Sequence, residues 1–135
     1  MPRVRRMATL REVQVTFDCA DPPRVARFWC EVLGYELDED VEDGGDWAAC
    51  ADPTGKGPRL FFQKVPEGKT VKNRVHLDVR VGRGLVGAER QSTLEAEGHR
   101  LEQHGATWVQ MLVADEENES CLVMQDVEGN EFCLD

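Results

Sequence analysis

Apolar and polar residues alternate along two stretches of this chain, and each alternation gives way to helical spacing. In the first, Val13, Val15 and Phe17 alternate with Gln14, Thr16 and Asp18. That period of two marks a strand with one face against a core. Past "DCADPP" the apolar positions become Val25, Phe28, Trp29, Val32 and Leu33, a helical stripe. Asp21 stands where an N-cap belongs, Pro22 and Pro23 suit a first turn, and Gly34 suits the left-handed residue that ends a helix. The spacing predicts a helix over Pro22–Leu33. Short strands are expected at Tyr35–Asp38, Trp47–Ala51 and Arg59–Lys64, with "EDGGD" as a loop and "DPTGKGP" as a turn.

The order then repeats. Val75, Leu77, Val79 and Val81 alternate with His76, Asp78 and Arg80, predicting a strand over Val75–Val81. A glycine-rich loop leads into helical spacing over Glu89–His104, weakened at Gly98 and closed by Gly105. Strands follow at Thr107–Val113, Cys121–Asp126 and Glu131–Leu134, the last two joined by "DVEGNE". "LGYEL" answers to "HGATW", and "DPTGKGPRLFF" to "DVEGNEFCL". Two copies at this long offset are a duplicated module rather than a solenoid. The prediction is an α+β fold, with two βαβββ modules forming a curved mixed sheet around a concave cavity and helices outside. The expected divisions are a flexible N-terminal arm at residues 1–9, module one at 10–66, a linker at 67–74 and module two at 75–135. Together they make one domain.

Composition narrows the partners. A chain of 135 residues with 41% hydrophobic and 31% charged residues is ordinary for one globular domain. Its net charge of −10 argues against nucleic acid or an anionic membrane, which both require a basic surface. The 5 cysteines are odd in number and irregular in spacing, with no CxxC pair. They read as free, mostly buried thiols in a reducing cytoplasm. The opening "MPRVRRMATL" lacks the apolar segment of a secretory signal and reads as a frayed tail, with Met7 an alternative start. No apolar run is long enough to span a bilayer.

If each helix covers one sheet face, then Gln14, Thr16 and Asp18, and likewise His76, Asp78 and Arg80, lie on the opposite face and look into the cavity. Trp47, Phe61, Trp108, Met111 and Met124 are candidates for its apolar walls, while Trp29 belongs to the core. Lys69, Lys72 and Arg74 form a basic cluster in the linker, better suited to structural pairing than to holding an anion. The chain has no nucleophile elbow, Ser-His-Asp order or dinucleotide fingerprint.

From about Leu10 onward the chain resembles the vicinal oxygen chelate superfamily, which includes glyoxalase I, extradiol dioxygenases and bleomycin-type resistance proteins. The stretches "VTFDCADPPRVARFWCEVLGYE", "KTVKNRVHLDV" and "DVEGNEFCL" carry the likeness, which is narrowest with the glyoxalase-like branch. The resemblance implies metal positions at Gln14 and His76 on first strands and at Phe61 and Cys133 on last strands. Phe61 has no donor atom, and Cys133 stands in place of the usual carboxylate, with Glu131 on the same face. The expectation is therefore no resident metal, with Gln14 and His76 as ligands if a divalent ion binds. His76 and Asp78 are the candidate catalytic pair. Gln14, Thr16, Trp47, Phe61, Arg80, Trp108, Met124 and Cys133 are the candidate pocket lining. The expected function is binding of a small molecule, as in sequestering an aromatic or antibiotic-like compound. The alternatives are a metal-dependent lyase, isomerase or dioxygenase, and a metal-free enzyme with His76 as general base. The resemblance also implies a homodimer.

Overall fold

The computed structural model describes residues 7–135; the Arg-rich start of the expected arm lies outside the described residues. Module one consists of β1 (Val15–Cys19), α1 (Pro22–Leu33), β2 (Glu36–Leu37), β3 (Trp47–Ala51) and β4 (Leu60–Lys64). Module two consists of β5 (Asp78–Val79), α2 (Gly87–Glu102), β6 (Thr107–Leu112), β7 (Cys121–Gln125) and β8 (Glu131–Leu134). Each module makes its own four-stranded sheet, in the orders β1-β4-β3-β2 and β5-β8-β7-β6. In both, the first strand runs parallel to the last and the remaining pairs are antiparallel. The α+β duplication read from the alternating pattern is the architecture found.

Two strands are shorter than the alternation predicts. β1 begins at Val15, and Val13 is 70% exposed. β5 keeps only Asp78 and Val79, and Val75 is 78% exposed instead of core-facing. The cause is partnering. β5 has a neighbour on one side alone, β8; the N–H groups of Cys133 and of Asp135, just past the end of β8, donate to the Leu77 and Val79 carbonyls. Ahead of Leu77 no strand lies opposite. Apolar alternation there has nothing to pack against.

The helix α1 follows its sequence signals at both ends. Prolines occupy the first turn, where missing N–H groups cost nothing. Gly34 turns left-handed at φ 69°, and its N–H donates to the Cys30 carbonyl at 2.8 Å. Asp21, however, makes no side-chain cap. The Glu128 carboxylate of module two accepts the Ala20 and Asp21 N–H groups instead, at 2.7 and 2.8 Å. This acceptor lies over a hundred residues away along the chain.

The same helix joins the modules through its apolar stripe. Trp29 packs against Phe17 of β1 and Phe132 of β8, with ring centroids 5.3 and 5.0 Å apart. Its indole Nε1 donates to Asp126 Oδ2 at 3.0 Å. Asp126 is buried and also accepts the Glu128 and Asn130 N–H groups and the Asn130 side-chain amide. The turn between β7 and β8 therefore shapes a hairpin and fastens one module to the other.

In α2, which starts two residues ahead of the predicted span, Gly98 is a packing requirement rather than a weakness. A Cβ there would stand 2.5 Å from Leu122 Cδ2 and 2.9 Å from Trp108 Cζ3. Gly98→Ala is expected to destabilise by up to about 2 kcal/mol, because overpacking at about 1–3 kcal/mol exceeds the gain of about 1 kcal/mol in helix propensity. Urea unfolding checks it; a stabilised variant would mean that the sheet yields freely. Among the described residues, no helix is long and apolar enough to cross a membrane.

Candidate functional site

The edge strand β1 and the segment that leads into β5, Val75 to Leu77, flank a cleft of about 300 Å³. Because β1 is an edge strand, both of its faces contribute. Val15 and Phe17 join Leu77 and Trp29 as an apolar floor, while Thr16, Asp18, Asn73, His76, Asn130 and Glu131 supply polar groups. A space of this size, apolar within and polar at intervals, has the composition of small-molecule sites.

His76 Nδ1 lies 3.0 Å from Asp78 Oδ1, the two side chains sharing a face two residues apart. That bond orients the ring, and among the described residues Nε2 has no hydrogen-bond partner. Asp78 is paired in register with Cys133 on β8. The ligating atoms of His76, Asp78 and Cys133 all fall within 4.8 Å of one another. Burial pushes the Cys133 thiol up to about 12, helped by the neighbouring Cys121 thiol and the carboxylates of Asp78 and Asp135. Cys121 is raised for the same leading reason, burial.

The other candidates separate into distinct groups. Arg80 leaves the His76–Asp78 pair and bonds Asp135 Oδ2 at 2.9 Å. On sheet one, Trp47 and Phe61 stack at 6.1 Å with an interplanar angle of 8°. The Arg59 guanidinium lies over Phe61 and donates to Gln14 Oε1 at 2.8 Å. Two expected pocket residues are corrected. Met124 is 0% exposed in the core, and Trp108 packs toward α2 beside Gly98 and stacks on His99. Both stand on the helix side of sheet two. Met111 too packs against the core there. An apolar strand in which every residue could be core carries no sign of which face is which. In β6 a register shift between Trp108 and Gln110 also breaks the simple alternation.

Sequence reasoning did not assign Asn73, Asn130, Val15 or Phe17 to the site. Their place follows from the linker, the turn before β8 and the edge strand β1 meeting at one cleft, which no local pattern encodes. Lys69 of the basic linker pairs with Glu131 at 3.0 Å, as the structural reading of that cluster has it. Against the upward push of partial burial, the Asn73 N–H, Lys69 and Gln125 lower the Glu131 carboxyl from 4.5 to about 2. A depressed carboxylate contributes stability above its unfolded value and loses it as pH falls toward the folded one. The stability difference between the natural chain and Glu131→Gln should thus be full at pH 7 and shrink between pH 4.5 and about 2. Unfolding curves across that range read it. A difference independent of pH would show that the carboxylate's charge is immaterial.

The four positions that the superfamily resemblance implies for a metal do not make a site here. Gln14 is engaged by Arg59, Phe61 is stacked on Trp47, and neither belongs to the donor group around His76. No reaction step through such a metal follows from these residues.

Two βαβββ modules joined in one chain are the architecture of the vicinal oxygen chelate class. The profile of the Glyoxalase-like domain matches residues 14–134, and the chain belongs to that family. No curated protein matches it. Solved structures that share the fold include a glyoxalase/bleomycin resistance protein/dioxygenase family enzyme from Burkholderia phytofirmans PsJN. It is 14% identical with a TM-score of 0.65, over 90% of this chain and 94% of the other. The fosfomycin resistance protein FosX from Listeria monocytogenes, as a mutant complexed with Mn(II) and 1S,2S-dihydroxypropylphosphonic acid, is 10% identical with a TM-score of 0.62. That match covers 90% of this chain and 85% of FosX. The protein described as Oxidase ChaP-H2 is 15% identical with a TM-score of 0.60, over 94% and 93% of the two chains.

Proposed function

We propose that this protein binds a small, largely apolar molecule, aromatic or antibiotic-like, in the cleft between its two modules. The observation that carries the reading is the cleft itself, with its floor of Phe17, Trp29 and Leu77 and the polar groups of Thr16, Asp18 and His76 at its sides. Apolar walls supply burial, and a few polar groups fix orientation. His76 would bond a polar group of the ligand through Nε2, with Asp78 holding Nδ1. The same pair supports a second reading, a metal-free enzyme in which His76 takes a proton from a ligand held within hydrogen-bond reach. Small neutral aromatic compounds are the first probes, and fosfomycin, suggested by the fold shared with FosX, is the polar contrast that should bind more weakly.

Titration followed by tryptophan fluorescence tests the proposal, since Trp29 forms part of the floor. A bound probe should lose affinity by at least about tenfold, or 1.4 kcal/mol, in His76→Ala. That variant should melt normally, because His76 is exposed. Thr16→Trp should fill the cleft and abolish binding. Retention of full affinity in both variants would move the ligand elsewhere.

We further take the active form to be a cytoplasmic homodimer. The outer edge strand β6 and the exposed Val109, Leu112 and Val113 favour a partner surface. A monomer in sedimentation at micromolar concentration would end that part of the reading.

A further inference from the structure

Four of the 5 cysteines stand in two touching pairs, one in each module. Cys30 of α1 meets Cys50 of β3, and Cys121 of β7 meets Cys133 of β8. The two pairs differ in reach. Cys133 stands opposite Val123 on the neighbouring strand, which leaves Cys121 on the diagonal. Diagonal residues have Cα atoms about 7–8 Å apart, whereas a disulfide spans about 4.4–6.8 Å. Cys30 and Cys50 are joined by helix-on-sheet packing instead. α1 lies against β3, and both present small residues there. Ala26 and Cys30 share a face of the helix, and Ala48 and Cys50 share a face of the strand. Small side chains allow close approach, and the two thiols share a hydrogen bond.

The pairs differ in chemistry too. Burial pushes the Cys19 and Cys133 thiols up to about 12 and raises Cys121. Cys50 is raised by its hydrogen bond to Cys30 and by burial. Cys30 alone moves down: the bond from Cys50, helped by Arg27, outweighs burial and the charge of Glu31. It is also only half-buried, whereas Cys50 is 1% exposed. An accessible, acidified thiol beside a buried one has the form of an attacking cysteine and its resolving partner.

We propose that Cys30 and Cys50 form a reversible oxidation site, at which hydrogen peroxide converts the thiol pair to a disulfide linking α1 to β3. The site uses no residue of the cleft lining and does not rest on the cleft ligand. The Cys30 thiolate attacks one peroxide oxygen, the O–O bond breaks, and the departing hydroxide takes a proton to become water. Cys30 is then a sulfenic acid. The Cys50 sulfur attacks the Cys30 sulfur, the S–O bond breaks, and the hydroxyl leaves as water with the Cys50 proton. Two electrons pass from the two thiols to the peroxide, which ends as two waters. A dithiol reductant restores both thiols by exchange.

The test is treatment of the reduced full chain with hydrogen peroxide, at a dose that consumes free glutathione alongside. Alkylation of the remaining thiols and peptide mapping by mass spectrometry follow. The expected product is a chain two hydrogens lighter, with the Cys30 and Cys50 peptides joined and the link undone by dithiothreitol. It should melt at a higher temperature than the reduced chain, because the link constrains the unfolded state. Cys50→Ser should stop at the sulfenic acid, trapped at Cys30 by dimedone. Cys30→Ser should slow thiol loss by at least about tenfold, because the other thiols lack a lowered, accessible sulfur. The map of the natural chain needs no variant, so it decides the matter even if Cys50→Ser folds poorly. A chain that keeps all its thiols overturns the proposal. So does a link that joins Cys121 to Cys133 or one chain to another, or a Cys30–Cys50 link that lowers the melting temperature.

Discussion

Asp126→Ala should lower the unfolding free energy by about 3–5 kcal/mol, among the largest losses any single side-chain truncation can cause in this chain. The carboxylate is buried and receives four hydrogen bonds, from Trp29 Nε1, the Glu128 and Asn130 N–H groups and the Asn130 amide. Truncation leaves these donors without an acceptor, at about 1–3 kcal/mol for each that water cannot reach. The turn that carries Glu128 would loosen at the same time and release the first turn of α1, which Glu128 caps from the other module. Asp126→Asn keeps one acceptor oxygen and should fall between the two. Urea unfolding with a shared slope is the measurement. If alanine costs under about 1 kcal/mol, the turn does not hold the modules together.

Trp29→Ala should cost a similar amount, about 3–5 kcal/mol, by cavity formation rather than by unpaired polar groups. The ring is 1% exposed and packed among Phe17, Phe28 and Phe132. Domains of this kind have only about 5–15 kcal/mol in hand, so the variant should fold but melt well below the natural chain. Trp29→Phe separates the two contributions, keeping most of the packing and losing the bond to Asp126. Because Trp29 and Asp126 are hydrogen-bonded, their double variant should cost less than the sum of the singles. Additive losses would show that each acts alone. Trp29→Ala should also deepen the cleft and change which probes bind, whereas Asp126, which is absent from the cleft lining, should affect binding only through stability.

The duplication, the bounds of α1, the turn glycine at 34 and the opposition of His76 to Leu77 were all readable from the order of residues. Each rests on a local rule: the period of the apolar pattern, the fixed φ of proline, or the left-handed freedom of glycine. His76 and Asp78 as neighbours on one face also followed from a period of two. What sequence could not supply was anything that depends on which strand lies beside which. Val13 and Val75 alternate like core residues and are exposed because no strand meets them. Met124 and Trp108 could equally have faced the cleft or a helix. Gly98, which reads as a helix breaker, made the room that drew Trp108 to the helix side. Asp126, Glu128 and Trp29 are dispersed along the chain, and nothing local links a tryptophan to a turn 97 residues on. Periodicity is set by short-range backbone geometry, so the chain determined its elements by itself. The cleft, the contact of Trp29 with the Asp126 turn and the cluster of His76, Asp78 and Cys133 are long-range, and only tertiary packing decided them.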